Sequence, residues 1–231
     1  MDFSRFNRKS RGGILVPDSD IAAQSRRGRC DGLMHSMLMG GGAPDTRPVV
    51  TWNPLDAHAS MSLSNGNLTA TPLSSAGTGI AVRATSYITQ SCYWEMMANN
   101  SWGGAQYAWL CGAISATHTL AAALGKGTYG GGHTKAGYWY IDNSSSGGPD
   151  GTSWGDNIRV GIDFDYSTRT IYFYKLALGS MVFQAALSLS NNGPYYPAVS
   201  GIGSGSYSFN GYFNSASQVS ASPRGYPAIG K

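Results

Sequence analysis

The stretch WGDNIRVGIDFDYSTRTIYFYK, residues 154–175, contains the clearest secondary-structure signal of the chain. Apolar residues alternate with polar or small ones between positions 158 and 164, which is typical of a strand with one buried face. Residues 165–169 have the composition of a turn, and residues 170–174 are rich in β-branched and aromatic residues. We therefore expect an antiparallel hairpin. Because its apolar face must be covered, a second sheet is expected elsewhere in the chain.

The composition also favours a turn-rich, all-β protein. Of the 231 residues, 32 are glycine, 12% are charged and 42% are hydrophobic. The glycine share is about twice the usual value and the charged share about half of it, while the hydrophobic share is sufficient for a core. A chain of this length has room for one β-sandwich of ordinary size and an appendage.

Targeting signals are not apparent in the sequence. No run of about 18 apolar residues occurs, so no membrane-spanning segment and no membrane partner are expected. The first residues, MDFSRFNRKSRGG, lack the apolar region of a signal peptide. If the protein works outside a cell, we expect it to leave by lysis or as part of a particle.

The net charge of +4 is unevenly distributed along the chain. Residues 1–30 contain seven basic and three acidic residues, and the remaining chain contains nine of each. The expected sandwich is therefore neutral and lacks the basic face that nucleic-acid binding needs. Nucleic acid is not an expected partner of the sandwich.

Three parts are expected along the chain: an N-terminal arm (residues 1–47), a β-sandwich (residues 48–214) and a C-terminal tail (residues 215–231) without a core of its own. The arm is basic and Met-rich and lacks a sustained hydrophobic period, so alone in solution it should be disordered. It is either a solvated tail or an extended arm that docks on a neighbouring subunit; contact with nucleic acid is a weaker third interpretation. The residues assigned to docking are Phe3, Arg5, Phe6, Arg8, Arg11, Ile14, Leu15, Arg26 and Arg27.

Shorter patterns predict further elements of the sandwich. The Asn-Gly pair at positions 65–66, between strand-like runs at residues 61–63 and 68–70, is a strong hairpin signal. Residues 120–124 are compatible with a helical turn. The glycine run at residues 130–132 predicts a loop.

The central stretch resembles the SPRY domain, in which a Gly-Asp pair precedes an alternating strand ending in Asp-x-Asp and a second strand reading x-Phe-Tyr-Lys. The resemblance extends in the right order over about residues 50–214. Its other landmarks are Trp52-Asn53-Pro54, LSNGNLTAT at residues 63–71, VRAT at 82–85, YWEM at 93–96, YYPAVS at 195–200 and FNG at 209–211.

This resemblance implies an all-β fold, a bent antiparallel β-sandwich of the SPRY or concanavalin-like jelly-roll type. SPRY domains usually bind other proteins and are not enzymes. The Trp-Asn-Pro and LSNGNLTAT motifs resemble the SPRY-like domains found in bacteriophage and prophage proteins. The resemblance therefore implies a virion protein whose partners are other virion proteins, such as capsid, portal or tail components.

Residues suited to catalysis are few. Glycosidases need two carboxylates flanking the bond that is cut, and Glu95 is the only glutamate of the chain. Asp163 and Asp165 lie on the polar face of one strand, about 7 Å apart by strand geometry, and we expect them to be solvated. The Asp and Asn residues around positions 142–157 lack the spacing of a calcium loop. No enzymatic activity, metal or cofactor is therefore expected.

The three cysteines, Cys30, Cys92 and Cys111, have no metal-binding spacing. Cys92 and Cys111 lie in or beside expected strands, where a buried free thiol is the usual state. A bridge between these two is the alternative, although a chain assembled in bacterial cytoplasm would normally keep both reduced.

Aromatic residues in or beside Gly/Asn/Ser loops are the candidate binding residues, because such sequences form recognition surfaces for proteins and flat platforms for sugars. The alternative is that the tryptophans among them, like Trp94 and Trp154, fill the core. Trp102 and Tyr129 are the stronger candidates for exposed positions. The full set is Trp102, Tyr107, Tyr129, Trp139 and Tyr140.

Three functions remain open. The first is a non-enzymatic structural component of a bacteriophage particle that docks by its arm and presents a SPRY-like interaction domain. The second is a module at the virion surface that binds a host glycan or receptor protein. The third is an intracellular adaptor that recognises a peptide. A homo-oligomer is compatible with each of them.

Overall fold

The computed structural model describes residues 46–73, 79–99, 109–126, 129–134, 136–142, 144–145, 154, 157–177, 180–190, 193–201 and 207–231. The docking residues of the N-terminal arm lie outside this part. The described residues form strands and turns, and no helix. In chain order the strands are β1 (Trp52–Ala57), β2 (Met61–Ser64), β3 (Thr69–Pro72), β4 (Ile80–Ala84), β5 (Cys92–Asn99), β6 (Trp109–Ser115), β7 (Gly130–Thr134), β8 (Trp139–Ile141), β9 (Ser144–Ser145), β10 (Arg159–Asp165), β11 (Thr170–Ala177), β12 (Ser180–Ser188), β13 (Tyr195–Gly201) and β14 (Ser208–Tyr212).

Two antiparallel sheets form a sandwich, which confirms the expected all-β architecture. The strand order is β1-β4-β13-β6-β7-β8-β9 in the first sheet and β12-β11-β10-β5-β14-β3-β2 in the second. The hairpin predicted from the Asn-Gly pair is also confirmed, since β2 and β3 pair across a turn at residues 65–68. Asn65, Gly66 and Asn67 have positive φ angles in this turn, a conformation that Asn and Gly adopt most readily.

Strands β10 and β11 form the predicted central hairpin, with Asp165 opposite Thr170. Their position in the middle of the second sheet, between β5 and β12, explains the strong sequence signal. Val160, Ile162 and Phe164 point to the interior and are at most 1% exposed. Burial of each such side chain contributes roughly 1.5–3 kcal/mol.

Aromatic side chains fill the space between the sheets. Trp52, Trp94 and Trp154 are completely buried there. The rings of Trp52 and Phe213 meet edge to face with centroids 5.0 Å apart, a favoured geometry for aromatic pairs. The alternative interpretation, in which the tryptophans fill the core, is therefore confirmed for Trp94 and Trp154.

A smaller apolar cluster lies on the other face of the first sheet. Leu110 and Ile114 of β6 and Tyr140 of β8 are buried in it. Residues 120–124, whose sequence is compatible with a helical turn, form turns that supply Leu124 to this cluster. Both faces of the first sheet are thus covered at this position.

The loop predicted for residues 130–132 is wrong, because these residues begin strand β7 between β6 and β8. A Cβ atom on Gly112 of β6 would collide with the carbonyl oxygen of Gly131. A Cβ atom on Gly132 would lie 2.9 Å from Cβ of Leu124. The neighbouring chains approach too closely for side chains, which is a known reason for glycine within a strand.

The C-terminal tail lies against the second sheet. The amide of Tyr93 donates to the carbonyl of Pro227 over 2.8 Å, and the amide of Ile229 donates to the carbonyl of Tyr93 over 3.0 Å. Ala228, between these two residues, is buried. The tail has no core of its own, as expected, but its backbone pairs with β5 and covers the sheet.

Cys92 and Cys111 are both free and buried, which confirms the expected free thiols. Burial raises the pKa of each thiol well above its ordinary value. Neither thiol is therefore suited to act as a nucleophile or metal ligand, both of which require the thiolate. Cys30 lies outside the described residues.

Candidate functional site

An aromatic cleft of about 410 Å³ opens at one end of the sandwich. Three connections meet there: the loop between β4 and β5, the turn between β10 and β11, and the segment before β13. Binding sites are typically such concave surfaces with few polar groups. The residues that define the aromatic cleft are Tyr87, Ile88, Phe164, Tyr166, Arg169, Gly193, Pro194 and Tyr195.

The floor of the cleft belongs to the core. Phe164 and Tyr195 are almost fully buried, and their ring centroids lie 5.9 Å apart. Ile88 is equally buried, and its amide donates a 2.7 Å hydrogen bond to the carbonyl of Tyr195. This bond joins the loop between β4 and β5 to β13, so the floor is held by both packing and backbone pairing.

The rim of the cleft consists of two tyrosines with half-exposed side chains. Tyr87 is 53% exposed and Tyr166 is 51% exposed. The amide of Tyr166 donates to Oγ of Ser91 over 3.0 Å, which positions the turn that carries it. Half-exposed tyrosines supply large contact area at small conformational cost, because only two side-chain angles have to be ordered.

The turn at residues 166–169 is organised by Asp165. Oδ1 of Asp165 accepts hydrogen bonds from the amide and hydroxyl of Ser167, at 3.0 and 2.7 Å. Arg169 closes the turn with φ 54°, and its carbonyl accepts the amide of Leu189 over 2.9 Å. The cleft is therefore pre-formed, which lowers the ordering cost of binding.

The aromatic surface continues past the rim. The rings of Tyr87 and Tyr196 meet at 6.0 Å between centroids. The guanidinium group of Arg83 lies 6.0 Å from the centre of the Tyr196 ring and also pairs with Asp56 at 2.6 Å. A second cavity of about 390 Å³ shares Tyr87 and Ile88 with the cleft. Together the two cavities form one extended surface at this end.

The described residues of the cleft are mostly uncharged. Its described lining consists of aromatic, aliphatic and glycine residues and one cation, Arg169. No carboxylate, histidine or cysteine is among the described residues that line it. Oδ2 of Asp165 accepts the hydroxyl of Tyr226 over 3.1 Å, so this carboxylate is committed to the turn and the C-terminal tail. Such a cleft suits apolar, proline or sugar rings next to an acidic group.

The sequence-predicted binding residues do not converge on one site. Trp102 and Tyr107 lie outside the described residues. Tyr129 is half-buried with φ 65°, and its carbonyl accepts the amide of Ser115. Trp139 is half-buried and packs against the main core. Tyr140 is 3% exposed within the smaller cluster, so its ring is not available as a surface contact.

Sequence reasoning missed Tyr87, Tyr166 and Tyr195 as site residues. Tyr87 and Tyr166 each stand in a run of Ser and Thr residues, so they show the same signal that selected the other aromatics. Nothing in the sequence indicated that three segments so far apart in the chain would meet.

The expectation of solvated carboxylates on the outer face of the second sheet is wrong. Glu95 and Asp163 are completely buried and Asp165 is 8% exposed. The C-terminal tail covers all three. Oγ of Ser222 donates to Asp163 over 2.6 Å, and burial raises the pKa of Asp163 to about 6.

Glu95 anchors the first half of the tail. Its carboxylate accepts the amides of Val219 and Ser220 at 3.0 and 2.9 Å and pairs with Arg159 at 2.9 Å. The hydroxyl of Tyr93 donates a further bond over 3.0 Å. A buried carboxylate with this many donors is fully satisfied, so it holds the tail in place.

Metal-binding clusters and membrane-spanning helices are both absent from the residue ranges that the structure describes. Within those ranges, no three His, Cys, Asp or Glu side chains come together in a metal-binding arrangement. No helix in the same part of the chain is long and apolar enough to cross a membrane.

Comparison with known proteins establishes the fold. No protein-family model and no curated protein sequence matches this chain. The SPRY domain of human HERC1 is similar in structure, with TM-score 0.57 and 17% identity over 70% of this chain and 96% of that chain. The TRIM65 PSpry domain has TM-score 0.55 and 16% identity over 71% of this chain and 91% of that domain. Stonustoxin has TM-score 0.52 and 15% identity over 71% of this chain and 27% of its own. The sandwich therefore has the SPRY fold that the sequence motifs indicated.

Proposed function

We propose that this protein is a non-enzymatic structural and binding component of a bacteriophage particle. In this proposal the N-terminal arm docks on a capsid, portal or tail protein, and the SPRY-fold sandwich presents the aromatic cleft to a protein partner. The observation that carries the proposal is the pre-formed cleft with its two half-exposed tyrosines, Tyr87 and Tyr166.

The virion assignment is supported by the sequence. The Trp-Asn-Pro motif at residues 52–54 and LSNGNLTAT at residues 63–71 resemble phage SPRY-like domains, and both occupy strands β1 to β3. Residues 1–30 of the arm carry a net charge of +4, equal to that of the whole chain, while residues 31–231 are neutral. This separation suits a chain that uses one part for anchoring and the other for recognition.

The test compares the full chain with a variant that lacks residues 1–47. Purified particles assembled with each form are assayed for the protein by immunoblot. The full chain should be incorporated and the arm-deleted variant should be lost, whereas a Tyr87→Ala, Tyr166→Ala variant should be incorporated normally. Incorporation of the arm-deleted variant at the level of the full chain would contradict arm-based docking.

A host glycan or receptor protein is the second candidate partner of the sandwich. The half-exposed rings of Tyr87 and Tyr166 favour it, because flat aromatic rings also stack on sugars. Particles with the Tyr87→Ala, Tyr166→Ala variant should then adsorb poorly to host cells. A Trp102→Ala, Tyr129→Ala variant tests the loop aromatics chosen from the sequence in the same assay, and unchanged adsorption of both variants would exclude this role.

A further inference from the structure

The chain contains three Asn-Gly pairs, at residues 65–66, 192–193 and 210–211. Asparagine is most prone to spontaneous deamidation before glycine, because glycine has no Cβ atom to hinder attack on the asparagine side chain. The fold decides whether a pair reacts, since the reaction needs an unbonded glycine amide and a backbone that can rotate. Asn192 lies outside the described residues, and the other two pairs have opposite surroundings.

The first pair lies at the tip of the hairpin formed by β2 and β3. Asn65 and Gly66 are both exposed, with φ angles of 52° and 62°. A Cβ atom on Gly66 would meet nothing within 4 Å, so the space around the turn is open. In the part of the chain that the structure describes, neither the side chain of Asn65 nor the amide of Gly66 has a hydrogen-bond partner. The attacking nitrogen and the group that it attacks are therefore not held by other bonds.

This turn can open without unfolding the sheet. Strand β2 has four residues and is an edge of the second sheet. The carbonyl of Asn65 accepts the amide of Leu68 over 3.1 Å, and this bond breaks when the Asn65 backbone rotates. Exposed turns at sheet edges open more often than central strands, because fewer contacts have to break. We therefore expect the rotation that brings the nitrogen of Gly66 to the Asn65 side chain to occur in the folded protein.

The pair at residues 210–211 has the same sequence but the opposite setting. It belongs to strand β14, which lies between β5 and β3 inside the second sheet. The amide of Gly211 donates to the carbonyl of Leu68 over 2.9 Å. Oδ1 of Asn210 accepts the hydroxyl of Thr69 over 2.8 Å. Both groups that would react are hydrogen-bonded, and pairing on both sides prevents the strand from rotating.

We propose that Asn65 is a site of spontaneous deamidation in the folded protein, whereas Asn210 is protected. This inference does not depend on the virion assignment. The nitrogen of Gly66 loses its proton to solvent and attacks Cγ of Asn65. The side-chain nitrogen takes up a proton and leaves as ammonia, so a cyclic imide remains, which water then opens. The net reaction consumes water and releases ammonia, and it needs no enzyme, oxidant or reductant.

The two products differ in their effect on the hairpin. Cleavage of the bond between Cγ and the Gly66 nitrogen gives aspartate, which tolerates the left-handed conformation of this turn. Cleavage of the bond between the main-chain carbonyl carbon and that nitrogen gives isoaspartate, whose main chain runs through the side-chain methylene. The longer turn should disturb the pairing of Ser64 with Thr69. It should also disturb the 2.8 Å bond from the amide of Trp52 to the carbonyl of Asn67.

The test incubates the full chain at mildly alkaline pH, below its unfolding temperature, and follows both sites by peptide mass spectrometry that separates aspartate from isoaspartate. In the folded protein Asn65 should convert at least about tenfold faster than Asn210, because the exposed turn opens more often than the central strand. In denaturant the two rates should become similar, since both residues precede glycine. Unconverted Asn65 in the folded chain, or equal rates at the two sites there, would overturn the proposal. A difference in rate that persists unchanged in denaturant would assign it to the sequence and reject control by the fold.

The matched control is Asn65→Gly, which removes the reactive side chain and keeps a residue that readily adopts positive φ. After the same incubation, the wild-type protein should contain an isoaspartate form that unfolds at a lower temperature. The unfolding temperature of the variant should not change during incubation. If the incubated variant lost as much stability as the incubated wild type, the damage would lie elsewhere, and its assignment to this turn would be rejected.

Discussion

Asp163 shows how the surroundings of one residue reverse the expectation from its sequence position. Its place on the polar side of an alternating strand predicted a solvated carboxylate. In the fold it is completely buried beneath the C-terminal tail. Burial raises its pKa from 3.8 to about 6, against the hydrogen bond from Ser222, which favours the ionised form. The neighbouring carboxylate, Asp165, has its pKa lowered by the hydroxyl of Ser167.

The first prediction concerns Asp163→Asn and pH. The folded state binds this proton more tightly than the unfolded state, so its stabilising effect is present below about pH 4 and is lost as pH rises through about 6. Asparagine does not titrate, so the variant does not lose stability at this position as pH rises. The free energy of unfolding of the variant, relative to wild type, should increase by on the order of 2–3 kcal/mol between pH 4 and pH 8.

Chemical denaturation at a series of pH values measures this difference. Comparison with wild type cancels the contributions of the other titrating groups to the free energy of unfolding. One of them is His118, whose pKa is lowered from 6.5 to about 4 by burial, so this residue lowers the stability of the fold as pH falls from about 6.5 towards 4. Asp165→Asn is the matched control and should have the opposite sign, because a lowered pKa stabilises the fold above the unfolded value. If the pH profiles of the two variants were parallel, they would contradict the assignment of a raised pKa to Asp163 and a lowered pKa to Asp165.

At the scale of the element, strand β7 begins with three glycines because its neighbours leave little room for side chains. Gly112 of β6 and Gly131 of β7 approach so closely that a Cβ on Gly112 would meet the backbone of Gly131. A Cβ on Gly131 would lie 2.7 Å from Cδ2 of Leu189 instead. Backbone cannot move aside, whereas the end of a leucine side chain can.

Alanine at these two positions should therefore have graded effects. Gly112→Ala should reduce the free energy of unfolding by about 3 kcal/mol or more, at the upper end of overpacking costs. Gly131→Ala should cost about 1 kcal/mol, since Leu189 can shift. Urea denaturation of both variants measures the order, and an equal or reversed order would show that the close approach of β6 and β7 is not what selects glycine.

The C-terminal tail is an element whose position depends on Glu95. Removing the charge with Glu95→Gln weakens the bonds from Arg159 and the amides of Val219 and Ser220. The expected loss is about 3 kcal/mol, typical of breaking a buried ion pair. Asp56→Asn, which breaks the partly exposed pair with Arg83, should cost less. Differential scanning calorimetry measures both losses.

Hydrogen exchange at the tail amides distinguishes local loosening of the C-terminal tail from a loss of stability of the whole fold. If Glu95 anchors the tail, the amides of Val219 and Ser220 should exchange much faster in Glu95→Gln than in Asp56→Asn. Equal exchange in the two variants would mean that the tail is held by its pairing with β5 alone.

At the scale of the whole molecule, the sequence separates a charged arm from a neutral sandwich. If the arm anchors the protein in a particle, limited proteolysis of the free protein should trim the chain to about Val49, the last exposed residue before β1. The same sites should be protected in the particle. Mass spectrometry of the products checks this, and protection of the arm in both states would move the assembly contact to the loops of the sandwich.

The sequence by itself determined the elements whose signals are local. The hairpin of β10 and β11 follows from alternation and a polar turn, and the hairpin of β2 and β3 follows from Asn65-Gly66. The SPRY motifs placed these elements in one fold. Buried aromatics such as Trp94 were also foreseeable, because large apolar residues in strands are usually in the core.

Only the tertiary structure decided the features that depend on distant neighbours. The loop predicted at residues 130–132 became a strand because β6 lies against it. Asp163 became buried because the C-terminal tail, more than fifty positions along the chain, crosses its strand. The aromatic cleft unites Tyr87, Tyr166 and Tyr195 from three connections. Local propensity describes one segment at a time, whereas burial and binding sites depend on which segments meet, and chain topology sets that.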